Sequence, residues 1–208
     1  MKIYDDIIQG SDAWFDLRLG KVTASNFAAA ISKGRGSAPS VGRNKLMVKL
    51  AVERERGTPL LEESYSNKAM EWGSETEHGA CEYYEDLYGP VLHVGFIERD
   101  EDVGCSPDGL VGDDGMLEIK CPLSTTHAKY ILANKMPTDY IAQVQGQLWV
   151  AERQWCDFFS FDPRSRRKKV FRVRVYRDED YIKELHIKIT IFVEEMKEMY
   201  DKLTRCPF

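Results

Sequence analysis

Alternating apolar and polar positions predict strands in the second half of the chain. The stretch from Val103 to Val111 and the stretch from Met116 to Cys121 are short and bounded by turn residues, and the second alternates apolar and charged residues from Leu117 to Lys120. Asp113, Asp114 and Gly115 lie between them, and Asp-Gly between apolar runs is a strong signal for a tight turn that uses the positive φ of glycine. We therefore predict a β-hairpin here. Further strands are predicted over 91–97, 155–161 and 169–176.

Apolar residues spaced three and four apart predict helices around these strands. A short helix is expected between the capping residue Ser11 and Gly20, with Trp14 and Leu17 facing the core, and another helix ends at Gly57. Other helices are predicted from Thr23 or Ser25 onward and over 67–88, 125–133, 138–151 and 179–203. The segment 33–42, rich in Gly, Ser and Pro, predicts a loop. Helices around a central mixed sheet indicate an α/β (α+β) fold, and we expect a single domain over 1–208.

Composition narrows the class of protein without deciding it. The 208 residues are 30% charged and 43% hydrophobic, which is typical of one globular domain with a sizeable core. The net charge of −5 does not indicate a nucleic-acid binder, yet a local basic groove matters more than the total. Five cysteines without a Cys-x-x-Cys pair, and four scattered histidines, argue against disulfides, a zinc site or an iron–sulfur cluster. The chain shows no signal peptide and no membrane span, so a cytoplasmic location without membrane attachment is expected.

The predicted hairpin gathers charged side chains on one patch. Residues two apart on a strand share a face, so Glu118 and Lys120 point the same way, and closure of the hairpin would bring Asp108 across from Glu118. Paired carboxylates suit a hard cation such as Mg²⁺, which leaves room for water and phosphate. Lys120 could then help to deprotonate a water or stabilise developing charge. On spacing alone, an acidic hairpin with a solvated Glu–Lys pair accounts for the same residues.

Neighbouring motifs favour the metal site over the solvated hairpin. Pro107-Asp108 with Glu118-Ile119-Lys120 resembles the active site of the PD-(D/E)xK nuclease superfamily, which implies a restriction-endonuclease-like core. More narrowly, the chain resembles the phage lambda-type (YqaJ-like) alkaline exonucleases in blocks that keep the family's order over most of its length. These blocks are Ala-Trp at 13–14, Leu-Arg-Leu-Gly at 17–20, Thr-Ala-Ser at 23–25, Trp-Gly-x-x-x-Glu at 72–77, Cys-Ser-Pro-Asp-Gly-Leu at 105–110, Leu-Glu-Ile-Lys-Cys-Pro at 117–122, Ala-Gln-Val-Gln at 142–145 and Asp-Pro-Arg at 162–164.

The resemblance implies a set of metal ligands. Asp108 and Glu118 would hold the metal together with the main-chain carbonyl of Ile119, and Glu77 would reach the same site and hold a second ion. The implied ions are Mg²⁺, with Mn²⁺ as the alternative. A glutamate on a long helix is more often solvated, which is the competing interpretation of Glu77.

The resemblance also implies catalytic and end-binding residues. Lys120 matches the catalytic lysine, and Gln143 matches an amide that orients the water or a phosphate oxygen; a surface or helix-capping amide is the alternative for Gln143. Arg18, with the hydroxyls of Ser25 and Ser106, would bind the terminal 5′-phosphate, because a guanidinium matches phosphate oxygens bidentately. Ser25 could instead be only a helix cap.

The expected function is a processive, Mg²⁺-dependent 5′-to-3′ exonuclease on linear duplex DNA. It would release mononucleotides and leave 3′ overhangs for recombination. The resemblance further implies a homotrimeric ring and a single-strand annealing protein as partner. Alternatives are an endonuclease on the same core and a non-catalytic DNA-end-binding protein. The basic run over 164–169 is consistent with a solvated hairpin tip, a DNA contact or a subunit contact.

Overall fold

A computed structural model describes residues 1–34, 40–61 and 68–205 of the chain. The strands in the described residues are β1 (Lys2–Tyr4), β2 (Val22–Thr23), β3 (Phe96–Glu98), β4 (Val103–Cys105), β5 (Gly109–Val111), β6 (Gly115–Lys120), β7 (Trp155–Phe161) and β8 (Val170–Tyr176). The helices are α1 (Asp12–Arg18), α2 (Phe27–Ala30), α3 (Val41–Arg56), α4 (Lys68–Tyr88), α5 (Ser124–Ala133), α6 (Ile141–Val150) and α7 (Glu179–Arg205). Single 3₁₀ turns at Ala24–Asn26 and Thr138–Tyr140 precede α2 and α6.

The strands form two mixed sheets of four strands each. The first has the order β1-β3-β4-β2, with β2 and β4 parallel and the other neighbours antiparallel. The second has the order β5-β6-β7-β8, with β6 and β7 parallel. A bridge between Leu92 and Leu110 connects the chain that enters β3 with β5. The predicted mixed α/β class is confirmed, but the prediction of one central sheet is wrong.

The predicted hairpin forms, although its first strand is shorter than expected. β5 pairs with β6 so that Gly109 lies opposite Leu117 and Val111 opposite Gly115. The positive φ of the turn is at Gly112, at 56°, and not at Gly115, which is the first residue of β6. The expected strand over 103–111 is two strands in different sheets, because Pro107 has no amide hydrogen to donate to a ladder.

The second sheet separates two apolar layers. Side chains alternate along β7, so Asp157 and Phe158 lie on opposite faces. Asp157 meets Tyr84 of α4, whereas Phe158 packs against Tyr130 of α5, with ring centroids 5.9 Å apart. The buried residues of α6 and α7 continue the α5 side, and those of α4 form the smaller cluster on the other side. The active residues proposed from sequence therefore lie where this sheet meets α4 and α6.

Most helices have their predicted ends. Ser11 caps α1 by accepting a hydrogen bond from the amide of Trp14, and Gly57, with a φ of 66°, ends α3. Trp14 and Leu17 of α1, which were predicted to face the core, are half-buried and not fully buried. β1 and β2 were not predicted, because segments of two and three residues carry no measurable periodicity. Residues 35–39 of the predicted loop and residue 67 of the predicted helix lie outside the described residues. None of the described helices has the length and apolarity that a bilayer span requires.

Candidate active site

Glu118 is the most densely hydrogen-bonded acid in the predicted site. Its side chain, on β6, is 1% exposed. Oε1 accepts hydrogen bonds from Lys120 Nζ and from Gln143 Nε2, the latter at 2.6 Å. Oε2 accepts one from Gln147 Nε2 at 2.6 Å. Because a carboxylate oxygen accepts about two hydrogen bonds, Oε2 keeps one lone pair for a further ligand.

Asp108 lies beside Glu118, at the start of β5. The β5–β6 register, continued by one residue, places Asp108 opposite Glu118. Asp108 Oδ2 accepts a hydrogen bond of 2.5 Å from the amide of Ile119. This bond holds the carboxylate against β6 at the residue whose carbonyl the sequence predicts as a metal ligand. Predicted ligands from two adjacent strands are thus brought together at one end of the hairpin.

Glu77 joins the same site from α4. A cleft of about 480 Å³ is lined by Glu77, Asp108 and Ile119, together with Cys81 and His93. Partial desolvation raises the pKa of Glu77, and the charge of Glu118 raises it further, while Lys120 lowers it. Glu77 therefore lies close enough to Glu118 and Lys120 to feel their charges.

The site holds more negative than positive charge. Burial raises the pKa of Asp108 well above its usual range; the charges of Glu118 and Glu77 add to this, and Lys120 opposes them. Burial lowers the pKa of Lys120, but Glu118 and Asp108 raise it by more, so the net shift is upward. A group of carboxylates that one ammonium does not neutralise has the oxygen-rich chemistry that Mg²⁺ or Mn²⁺ requires. The residues present therefore fit a divalent cation.

A second ligand cluster lies next to these carboxylates. Among the described residues, Cys81, Glu85 and His93 offer ligand atoms that all lie within 4.8 Å of one another. The three predicted carboxylates do not form so close a group among the described residues.

Arg18 lies in a pocket of hydroxyl groups. Its guanidinium donates to Ser106 Oγ at 3.1 Å, to Thr23 Oγ1 at 3.1 Å and to Ser25 Oγ at 3.5 Å. It stacks on the ring of Trp14, 4.2 Å from the centroid. No carboxylate of the described chain forms an ion pair with it, and burial lowers its pKa to about 10, so it stays cationic at neutral pH. The pocket thus presents a positive charge without a counter-ion.

Ser106 connects the arginine pocket with the acidic cleft. Its Oγ accepts hydrogen bonds from Arg18 and from Trp14 Nε1, the latter at 2.9 Å, so its own hydroxyl hydrogen remains available. Asp108 follows two residues later. Two residues of chain span at most about 7 Å. The arginine pocket and the acidic cleft are therefore close neighbours.

Gln147 is the residue of this network that sequence reasoning left out. It lies one helical turn after Gln143 on α6, so both amides face Glu118. Its Oε1 is buried without a partner among the described groups. The spacing of four was visible in the sequence, but nothing local indicated that Glu118 lies opposite it. Gln145, which points elsewhere, bonds to Tyr176 and to the amide of Asp178.

The basic run is divided between two environments. Arg164 donates to buried Asp162 at 2.7 Å and stacks on Trp72, with its guanidinium 4.0 Å from the ring centroid. The next four cations are exposed and line a shallow cleft of about 600 Å³ next to α4. These are Arg166, Arg167, Lys168 and Lys169. Arg164 is therefore a structural residue, whereas the other four are available to solvent.

The sequence and the fold have counterparts in known proteins. Residues 13–154 match the family model of the YqaJ-like viral recombinase domain. This chain belongs to the YqaJ-like family. The alkaline exonuclease LHK-Exo from Laribacter hongkongensis superposes with a TM-score of 0.85 at 37% identity, over 94% of this chain and 97% of that one. This YqaJ-like chain is accordingly an exonuclease, a phosphodiester-hydrolysing enzyme, as predicted.

Two further comparisons concern the fold and a short part of the sequence. A phage-related exonuclease from Haemophilus somnus 129PT shares the fold, with a TM-score of 0.62 at 18% identity over 88% of this chain and 95% of that one. ExoD of Escherichia coli K12 is 34% identical over 59 residues, which are 28% of this chain and 68% of ExoD. The first likeness concerns the fold alone.

Proposed function

We propose that this YqaJ-like enzyme is a Mg²⁺-dependent exonuclease that degrades one strand of linear duplex DNA from a 5′-phosphorylated end. It would release mononucleotides and leave 3′ overhangs. LHK-Exo, 38% identical in its complex with dAMP, binds a deoxynucleoside monophosphate, which is the class of product expected from DNA digestion. This supports DNA as the substrate.

One observation carries the proposal: the cationic hydroxyl pocket of Arg18 and the acidic cleft of Asp108 are joined by the two-residue step from Ser106 to Asp108. A terminal phosphate bound by Arg18 and Ser106 would be followed, about one nucleotide along the strand, by the phosphodiester beside Asp108. Hydrolysis there releases a mononucleotide with its 5′-phosphate. An enzyme that cuts within a strand has no need of such a terminal anion pocket.

The residues of the cleft divide the chemistry among them. Asp108, Glu118, Glu77 and the carbonyl of Ile119 would hold two divalent ions, which when bound neutralise phosphate charge and lower the pKa of a water. Gln143 and Gln147 keep the carboxylate of Glu118 in a single orientation, which pre-organises the site before substrate arrives.

Lys120 lies beside the proposed metal ligands and has two possible roles there. In the metal-free cleft, burial lowers its pKa but Glu118 and Asp108 raise it by more, whereas bound divalent ions would lower it. As an ammonium it would stabilise negative charge on the phosphate, and as a neutral amine it would help to deprotonate the attacking water.

Family resemblance supports three further elements of the proposal. The enzyme would act processively as a homotrimeric ring, would work in the cytoplasm with a single-strand annealing protein, and would accept Mn²⁺ in place of Mg²⁺. The exposed cations from Arg166 to Lys169 are free to contact DNA or a neighbouring subunit.

The test is digestion of end-labelled linear duplexes that carry either a 5′-phosphate or a 5′-hydroxyl, with circular DNA alongside. We expect mononucleotides from the phosphorylated end, slower digestion of the hydroxyl end, and intact circles.

Arg18→Ala should lose about tenfold in rate on phosphorylated ends and leave the hydroxyl rate unchanged, because only the charge-assisted contact is lost. Thr76→Ala, whose hydroxyl donates to the carbonyl of Trp72 within α4, is the control. Equal wild-type rates on both ends would contradict the proposed binding of the 5′-phosphate by the Arg18 pocket. Nicked circles would favour an endonuclease.

A further inference from the structure

Cys81, Glu85 and His93 form a compact set of metal-ligating groups outside the predicted catalytic residues. Cys81 and Glu85 are four residues apart on α4, so the helix presents both on one face. His93 lies in the segment between α4 and β3 and reaches back to Cys81. The ligand atoms of all three lie within 4.8 Å of one another.

The spacing of these atoms suits a tetrahedral ion. Cys81 Sγ and His93 Nε2 are 3.8 Å apart. Zinc–sulfur and zinc–nitrogen bonds of about 2.3 and 2.0–2.1 Å at a tetrahedral angle separate the two ligand atoms by about 3.6 Å. A thiolate, an imidazole and a carboxylate are ligands that Zn²⁺ binds far better than Mg²⁺ does. One ion can therefore be held with small side-chain adjustments, and the fourth position would be open to water.

The surroundings of the cluster are already arranged for a cation. Glu85 Oε1 accepts a hydrogen bond of 2.9 Å from the amide of Val91, which fixes its carboxylate. Cys81 is buried, whereas the imidazole of His93 is exposed and gives an ion access from solvent. Burial raises the pKa of Cys81 to about 11, and the negative charge of Glu85, Asp108 and Glu77 contributes. That negative field attracts a divalent ion, whose charge would displace the thiol proton.

The cluster opens into the cleft that holds the predicted catalytic carboxylates. Cys81 and His93 line it together with Glu77 and Asp108. Glu77 is one helical turn before Cys81, a rise of about 6 Å along α4. An ion on the cluster would place two positive charges beside Glu77 and compete for its carboxylate.

We propose that Cys81, Glu85 and His93 form an inhibitory site for Zn²⁺ or a similar borderline-soft divalent cation, beside the catalytic cleft. Binding of Zn²⁺ at this site is inferred from the geometry of the three side chains alone, whereas its inhibitory effect rests on the proposed nuclease function. The cluster could not be predicted from the sequence, because a thiol and an imidazole twelve residues apart match no common metal motif.

Calorimetric titration of the whole protein with ZnCl₂ in excess Mg²⁺ tests the site, since Mg²⁺ occupies all-oxygen sites but not a thiolate site. We expect one Zn²⁺ per chain, with affinity reduced at least about tenfold by Cys81→Ser and by His93→Gln. His78→Gln removes an imidazole from the same cleft without touching the cluster and should bind as wild type does. Replacing Zn²⁺ with Co²⁺ should give a sulfur-to-cobalt charge-transfer absorption that Cys81→Ser abolishes.

Circular dichroism will show whether each variant is folded. If Cys81→Ser or His93→Gln is not folded, Glu85→Gln takes its place in the titration. Equal Zn²⁺ affinity in wild type and Cys81→Ser, or a cobalt absorption that survives the substitution, overturns the site. Zn²⁺ should also inhibit Mg²⁺-supported digestion. The Zn²⁺ concentration needed for inhibition should rise in these variants by the same factor by which their affinity falls. Normal Zn²⁺ binding without inhibition overturns the inhibitory role. A wild-type protein that binds Zn²⁺ but digests no DNA contradicts the proposed function and leaves the binding site standing.

Discussion

Two buried acids on neighbouring strands, Asp157 on β7 and Glu118 on β6, lie on opposite faces of the second sheet. Asp157 is fully buried and accepts hydrogen bonds from Arg172, from Arg174 at 2.9 Å through both oxygens, and from Tyr84 at 2.8 Å. Glu118 has one ammonium and two neutral amides as donors. Around Asp157, the positive charge of two guanidinium groups exceeds the negative charge of one carboxylate. Around Glu118, the negative charge of the carboxylates exceeds the positive charge of Lys120.

The pKa shifts show the consequence of this difference. Burial alone would raise the pKa of Asp157, but hydrogen bonds from Arg174 and Tyr84 lower it overall. Asp108, beside Glu118, has its pKa raised by burial and by its acidic neighbours. Removing a buried acid from its counter-ions destabilises the fold because the counter-ions are left unpaired, while a buried acid without enough counter-ions is a site for an added cation. The following predictions test this distinction.

Asp108→Asn should have the largest effect, and it should be on activity. Removing this carboxylate from the cleft should reduce turnover by on the order of 10³-fold, as expected when charge that stabilises a transition state is lost. The thermal midpoint without metal should not fall, because the substitution removes like-charge repulsion. Digestion kinetics and thermal melting measure the two quantities.

Melting of Asp108→Asn with and without Mg²⁺ provides a readout independent of activity. Wild type should gain stability from the ion by mass action, and the variant should gain much less. Retained turnover, or an equal Mg²⁺ shift in the variant, would mean that Asp108 is not a ligand.

Asp157→Asn should show the opposite behaviour. The amide leaves Arg172 and Arg174 without their shared counter-ion, so we expect the free energy of unfolding to fall by about 3 kcal/mol. Turnover per folded molecule at low temperature should remain near that of wild type. Denaturant unfolding and active-site-normalised kinetics measure these effects. A large loss of turnover in a folded variant would contradict the structural role assigned to Asp157.

Gln147→Met should have a moderate effect. The thioether keeps the volume but removes the donor to Glu118 Oε2, which should reduce turnover about tenfold, equivalent to one buried hydrogen bond of 1–2 kcal/mol. Gln145→Met, on the same helix, loses its bond to Tyr176 and should affect stability rather than turnover. If both variants have the same kinetics, Gln147 has no positioning role.

Acid should produce the smallest effect, on stability. The pKa of Asp157 is lower in the folded protein than in the unfolded chain, so its contribution is complete above the unfolded pKa of about 3.9 and is lost as the pH falls through the folded value. The stability gap between wild type and Asp157→Asn should therefore stay constant from neutral pH to about pH 4 and narrow below it. Denaturant unfolding across this range measures it, and a gap that does not narrow below about pH 4 would show that Asp157 is not held by its arginines.

Local patterns were enough to predict much of the architecture. Ser11 and Gly57 mark helix ends because capping depends on residues within one turn, and the apolar face of α7 follows a regular period. The short hairpin was predicted because its turn and strands are contiguous. Its strand over 103–111 was too long, although Pro107 signalled the break.

The sequence by itself determined which residues belong to the YqaJ-like motifs and where most helices and the longer strands lie, because these properties depend on neighbours a few residues away. Only the tertiary structure decided that Gln147 bonds to Glu118, that Thr23 joins the hydroxyls around Arg18, and that His93 meets Cys81. Each of these contacts joins residues distant in sequence or placed by a different element. Their positions depend on how the helices pack against the sheets, which no local spacing encodes.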